Sequence, residues 1–234
     1  MREISSAFPG EITFAHLHVF CFPNGEEVCR SIRGVRTTQT GELRMSPEAR
    51  WIPFTASEFI DATSSCFRWE ARLDPGKIGS PTVIDSYENR HGCVAVRLGG
   101  VIPLKKITGP DVDKAEIQRY LASILFCPTI LLKHPTLEWV AVGPYTLRVG
   151  DRQDPTGAKV DIEMANEECP FLVRTMRPRL VGKKSIVTPW VGMGSAFREK
   201  DGMRIPTRLE VAWELAEGTF DYFRCELTSF TVVK

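Results

Sequence analysis

The 234-residue chain has no cysteine pair at C-x-x-C spacing, only four histidines, and no apolar run long enough to span a bilayer. Each shortage removes a class of function. The seven cysteines (21, 29, 66, 93, 127, 169 and 225) are odd in number and scattered, which argues against a disulfide framework and against a zinc site. Thirty Lys and Arg against 29 Asp and Glu give a net charge of +1, so no global field attracts nucleic acid. The segment Ile12–Phe22 is apolar in character but short and interrupted by His16, His18 and Cys21. Met1–Gly10 lacks the basic, apolar, small-residue order of a secretory signal, which leads to the expectation of a cytosolic protein. There is no internal repeat, no low-complexity segment and no charged tail. Ser195 lacks the flanking spacing of a nucleophile elbow, and Gly192 with Gly194 reads as a turn and not as a phosphate loop.

What is present is period-two alternation. Phe67, Trp69, Ala71 and Leu73 alternate with Arg68, Glu70 and Arg72, as in a strand with one buried face. Thr82–Tyr87 and Cys93–Leu98 flank a turn signal at Asn89–Gly92 and form an expected hairpin. A second is expected from Tyr145–Val149 and Val160–Met164, and Thr207–Leu215 leads through Gly218 into a last strand ending at Val233. One segment breaks the period: Ile117, Tyr120, Leu121, Ile124 and Leu125 share a helical stripe, which predicts a helix over 113–126 capped by Asp111. Thr55-Ala56-Ser57-Glu58 has capping-box spacing and predicts a shorter helix from Thr55 to Ala62. The expected fold is mainly β (α+β), a strongly curved antiparallel sheet or open barrel enclosing one long helix and a short one. The chain is expected to be a single domain, 1–234, with residues 1–40 as an extension leading into the sheet.

Several strings resemble those of a widespread bacterial family of unknown function: Arg50 to Ala56, Phe67 to Arg72, Asp85-Ser86-Tyr87, Arg119 to Ala122, Pro128-Thr129, Pro189 to Gly192, and Asp201 to Trp213. The resemblance runs from about Gly41 to the C terminus. Its pattern has a glutamate where this chain has Ser123 and a tryptophan where it has Phe126. It implies no activity. By analogy of fold, a curved sheet around helices is similar to the lipoprotein carriers of the bacterial periplasm, which implies a hydrophobic cavity.

Arg119 lies within the apolar helix stripe and needs a carboxylate partner there, with Glu210 and Asp85 as candidates. Asp85 and Tyr87 share a strand face, where a carboxylate and a phenol can move a proton. The expected site therefore has Asp85, Tyr87, Arg119 and Glu210 as catalytic groups, with Trp69, Tyr120, Ser123 and Trp213 around the substrate. No metal or cofactor is expected, and the partner is an apolar small molecule. The alternation itself turns Glu210 away from Trp213, so the two share a cavity only if a bulge turns one inward. Two functions follow: a cofactor-independent enzyme that isomerises or cyclises an apolar molecule by proton transfer, or a non-catalytic binder or carrier of a hydrophobic ligand. Convergent polar groups at the base of the pocket favour the first, and a uniformly apolar lining favours the second.

Overall fold

The alternating segments pair as consecutive antiparallel neighbours. In the computed structural model, which describes residues 14–164, 171–182 and 184–234, the first arm of the sheet comprises β1 (Gly34–Leu43), β2 (Ile52–Asp61), β3 (Phe67–Leu73), β4 (Pro81–Glu88), β5 (His91–Leu98) and β6 (Ile102–Ile107). The second arm comprises β7 (Leu137–Gly143), β8 (Thr146–Asp151), β9 (Lys159–Glu163), β10 (Phe171–Val181), β11 (Lys184–Ser195), β14 (Arg208–Leu215) and β15 (Gly218–Val233). Two short strands, β12 (Arg198–Lys200) and β13 (Met203–Ile205), pair only with each other. The thirteen remaining strands form one sheet in the order β6-β5-β4-β3-β2-β1-β15-β14-β11-β10-β9-β8-β7. The chain walks outward from β1 to β6, crosses to the opposite edge at β7, and walks back until β15 closes against β1. The sheet is thus open between β6 and β7.

The crossing is made by helix α2 (Pro110–Ala122), which packs against β4 and β5 of one arm and β9 and β10 of the other. It fills the curl of the sheet. Ile117, Leu121 and Ile124 are fully buried and Leu125 nearly so, as the helical stripe predicts. The helix starts earlier than the apolar stripe suggests, because Gly109 takes the cap position at φ 125° and Pro110 occupies the first turn, where its missing N–H costs nothing. Asp111 is therefore a first-turn residue and not the cap. The last turn tightens to a 3₁₀ form at Ser123–Leu125. The helix can lie this close to β5 because of Gly92, where a Cβ would stand 2.5 Å from the Val112 carbonyl oxygen. Asp113 fastens the contact by accepting from the Gly92 N–H at 2.7 Å.

The β4–β5 hairpin turns on Asn89 and Arg90, both left-handed (φ 51° and 66°), the geometry that matches strand twist in a two-residue turn. The second expected hairpin is β8–β9, in register Gly150 to Lys159. The helix expected at Thr55–Ala62 is not there. That segment is most of β2, and Phe54, Ala56, Glu58 and Ile60 are its buried face. Period-two burial outweighs the capping spacing, since Thr55 and Ser57 are simply the outward residues between them. Among the described residues two further α-helices, α1 (Phe14–Cys21) and α3 (Ile130–Lys133), and a 3₁₀ helix at Glu27–Ser31 lie outside the sheet. The leading residues Met1–Gly10 and Cys169 fall outside the described residues. The other six cysteines are free, and burial pushes the thiols of Cys21, Cys127 and Cys225 up to about 12.

Candidate functional site

The site begins with the cation on the apolar helix stripe. A buried guanidinium requires countercharge, and two strands supply it. Arg119 hydrogen-bonds through Nη1 to Oδ2 of Asp85 on β4, and its Nη2 lies 3.5 Å from Oε1 of Glu58 on β2. Its plane sits over the rings of Phe67 and Trp69 on β3, at 5.0 and 4.9 Å. Gln39 on β1 extends the network: its Nε2 donates to Glu58 Oε2 at 2.8 Å, and its Oε1 accepts from Trp69 Nε1 at 3.0 Å. Burial would lower the pKa of Arg119, but the Asp85 and Glu58 carboxylates hold it above its usual value. Burial raises Glu58, and Arg119 and Gln39 only partly oppose that.

This network floors a cavity of about 110 Å³ between α2 and the inner face of the sheet. Gln39, Glu58, Asp85, Arg119 and Arg177 form its polar side. Leu125, Phe126, Val173, Leu209, Val211 and Phe223 form its apolar wall. Arg177 arrives from β10, lies 5.4 Å from the ring of Trp190, and donates through Nε to the Ala115 carbonyl at 3.1 Å. Trp190 in turn donates to the Tyr222 hydroxyl at 2.9 Å. Among the described residues no cluster of three or more His, Cys, Asp or Glu is arranged to hold a metal ion, and no helix is long and apolar enough to cross a membrane.

The model of a family of unknown function, DUF6920, matches residues 19–231. The chain belongs to that family. The match therefore begins well before Gly41, where the resemblance is expected to start, and takes in the last three residues of α1, Val19–Cys21. No curated protein matches the chain. Among solved structures, the DUF6920 chain is similar to a DUF1329 family protein from Desulfovibrio piger at 9% identity, covering 88% of this chain and 90% of that one, with a TM-score of 0.51. A LolA superfamily protein from Nitrosomonas europaea matches at 9% identity over 94% and 92% of the two chains, with a TM-score of 0.49. A β-barrel-like protein of the DUF1849 domain from Brucella abortus matches at 11% identity over 87% and 99%, with a TM-score of 0.26. At such identity the first of these speaks to a shared curled-sheet fold and to nothing finer.

Of the residues singled out in the sequence, Arg119, Asp85 and Ser123 line the cavity and Trp69 lies directly beneath Arg119. Ser123 donates to the Arg119 carbonyl at 2.9 Å, a bond within the helix. The other four are elsewhere. Glu210 stands between Leu209 and Val211, which both face the cavity, so alternation turns it to the outer face, exposed and across from Arg224. The strand does bulge between Val211 and Ala212, but beyond Glu210, and so does not bring it in. Tyr87 is buried away from the cavity, its phenol raised by burial and by the carboxylates of Asp154, Asp151 and Asp113. Tyr120 donates to the Asp61 carbonyl at 2.9 Å and packs beside His134. Trp213 is stacked behind Tyr222, with ring centroids 5.6 Å apart. Sequence reasoning missed Gln39, Glu58 and Arg177. Glu58 had a usable signal, as a charged residue in phase with Phe54, Ala56 and Ile60.

Glu116, one turn before Arg119, is 3% exposed, and Arg177 Nη2 lies 3.3 Å from its Oε1. Burial, with Asp85 adding to it, raises this carboxyl from 4.5 to about 7 against the pull of Arg177 and Arg119. Between those pH values the folded protein holds a proton that the unfolded chain has released, so stability falls as pH rises through the window. The loss is at most about 1.4 kcal/mol per pH unit for one group. Glu116→Gln should therefore show a flatter decline in urea-unfolding free energy from pH 5 to pH 8 than the parent protein. Equal slopes would mean that Glu116 does not titrate there.

Proposed function

We propose that the cavity beneath α2 binds a small amphipathic molecule, an apolar body carrying one neutral polar group, and that the protein holds it without altering it. The observation that carries this reading is the division of the cavity. Its apolar wall removes hydrocarbon from water, worth about 25 cal/mol per Å², while its polar side is already paired within itself. Arg119 is shared by Asp85 and Glu58, and Gln39 by Glu58 and Trp69. A charged ligand would have to displace one of these partners and leave a buried charge unpaired. A neutral carbonyl or hydroxyl accepts a hydrogen bond from the guanidinium edge without doing so. The curled, open sheet plugged by a single helix supports a carrier, because the helix joins two arms that are not hydrogen-bonded to each other at β6 and β7.

A second reading, proton transfer on the bound molecule, draws on Glu58. Its carboxyl is almost fully buried, raised above its usual range and beside Arg119. It is suited to remove a proton from the carbon next to a ligand carbonyl while Arg119 stabilises the resulting enolate oxygen, and then to return that proton to carbon. One probe separates the readings. 2-Tetralone has an apolar body, a neutral carbonyl and exchangeable C–H bonds. Saturable binding by calorimetry, weakened at least about tenfold (about 1.4 kcal/mol) by Ala122→Phe, which fills the cavity, is the expected result. In deuterated buffer a carrier leaves the C–H exchange rate of the ligand unchanged. Exchange faster than in solution, lost in Glu58→Gln, would establish the enzyme.

A further inference from the structure

Beyond the cavity, a separate groove of about 480 Å³ runs along the N-terminal end of α2, between β5 and the β10–β11 hairpin. We infer that this groove is a second binding site, one that takes an amphipathic carboxylate, its head group held between Glu116 and Arg179 and its hydrocarbon laid over Val94, Ile107 and Leu180. The inference does not depend on what occupies the cavity.

Two residues that line the groove each carry a buried polar atom with nothing to bond to. Glu116 is 3% exposed, and its Oε2 has no hydrogen-bond partner although Oε1 meets Arg177. Arg179 has a buried Nε–H that is equally unpartnered, with its guanidinium 5.7 Å from the ring centroid of Trp213. Buried polar atoms left unmet are uncommon, and each costs about 1–3 kcal/mol. One is an oxygen of an acid and the other is a cationic donor. A single carboxyl group answers both: one of its oxygens accepts from Arg179 Nε, and the other shares a proton with Glu116 Oε2.

Charge favours an anion over a cation. Arg177 and Arg179 face the groove with Glu116, and exposed Asp111 stands at its rim. The first turn of α2 adds the partial positive charge of a helix N terminus whose cap, Gly109, offers no side chain. The walls are apolar, with Val94, Ile107 and Leu180 beside Trp213. Val181 and Ile186, both exposed, lie on the same face of the β10–β11 hairpin as Arg179.

The proton is available. Burial and Asp85 from β4 raise the Glu116 carboxyl against the pull of Arg177 from β10 and Arg119 on its own helix, and leave it titrating at about 7; Arg179 is the further charged group of β10 that lines the groove. Below that value the carboxyl donates to the ligand, and above it two carboxylates oppose each other. Affinity for an acid should therefore fall as pH rises past about 7, and Glu116→Gln, which keeps the shape and a donor, should remove that dependence.

Calorimetric titration of the full chain with decanoate below its micelle concentration, at pH 6 and pH 8, tests the site. Saturable binding is expected at pH 6, weakened at least about tenfold by Arg179→Met. Val94→Trp, which fills the apolar half and leaves both polar atoms in place, should weaken it as well and serves alone should Arg179→Met fail to fold. Ala122→Phe, which fills the cavity instead, should leave decanoate binding unchanged. Absence of saturable binding, indifference to Val94→Trp, loss with Ala122→Phe, or tighter binding of decylammonium than of decanoate would each overturn the groove as a carboxylate site. Absence of saturable binding or indifference to Val94→Trp would leave the cavity reading standing, whereas loss with Ala122→Phe would place an acid in the cavity and contradict its neutral ligand as well, so the two proposals fail distinguishably.

Discussion

Replacing Arg119 with methionine is expected to lower the unfolding free energy by about 3–5 kcal/mol at neutral pH, the usual cost of stripping a buried ion pair of one partner. Methionine fills much the same volume and can still pack on Phe67 and Trp69, so the loss is mainly electrostatic. It falls on Asp85 and on Glu58, whose side chain is only 5% exposed. Without the guanidinium both carboxylates sit in a low-dielectric cavity, and their cheapest escape is protonation. The destabilisation should therefore shrink as the pH is lowered toward 5. Pairing Arg119→Met with Glu58→Gln should recover part of it, because the neutral amide keeps the contact with Gln39 and removes one uncompensated charge. Urea unfolding of the single and double variants at pH 5 and pH 7.5 measures all of this. A loss that is the same at both pH values would mean that packing, and not charge, is what Arg119 supplies.

Leu121→Ala should cost about 2–5 kcal/mol, the range of large-to-small changes in rigid cores. Leu121 has no exposed surface and lies on a helix that packs against both arms of the sheet. A hole there cannot close easily, because the helix is held at one end by Asp113 on Gly92 and along its length by Gln118 on Thr175 and Met176 of β10. The upper part of the range is therefore the expectation. In a protein whose total stability is about 5–15 kcal/mol this is a large fraction. A melting curve unchanged by the substitution would remove α2 from the core and with it the enclosed cavity.

The sheet was legible wherever one face is apolar and the other charged. β3, β4, β5, β8, β9 and β14 follow directly from that alternation, and α2 from the change of period. β1 was not legible. Its sequence, Gly34–Leu43, is largely Thr, Gln and Gly, and its inward residues include Thr37 and Gln39, which are buried because they hydrogen-bond within the site. β2 was misread for a related reason: its inward row contains Glu58, which breaks the apolar pattern and supplies the fourth position of a capping box. The residues that obscure the local structure are thus those that build the polar floor. That Arg119 needs an anion could be read from chemistry alone, since a cation in an apolar stripe cannot stay unpaired, and Asp85 and Glu210 were the candidates. Which anion it meets depends on the curl of the sheet, and that brings β2 and β4 under the helix while it leaves Glu210 on the outside.

The most direct test of an amphipathic ligand beneath α2 is a crystal structure of the protein grown with 2-tetralone. The expected result is the bicyclic body enclosed by Phe126, Val173 and Val211, with its carbonyl oxygen within hydrogen-bonding distance of the Arg119 guanidinium and the Arg119–Asp85 pair intact. A cavity holding only water, or the ketone bound solely on the outer face of the sheet, would contradict it.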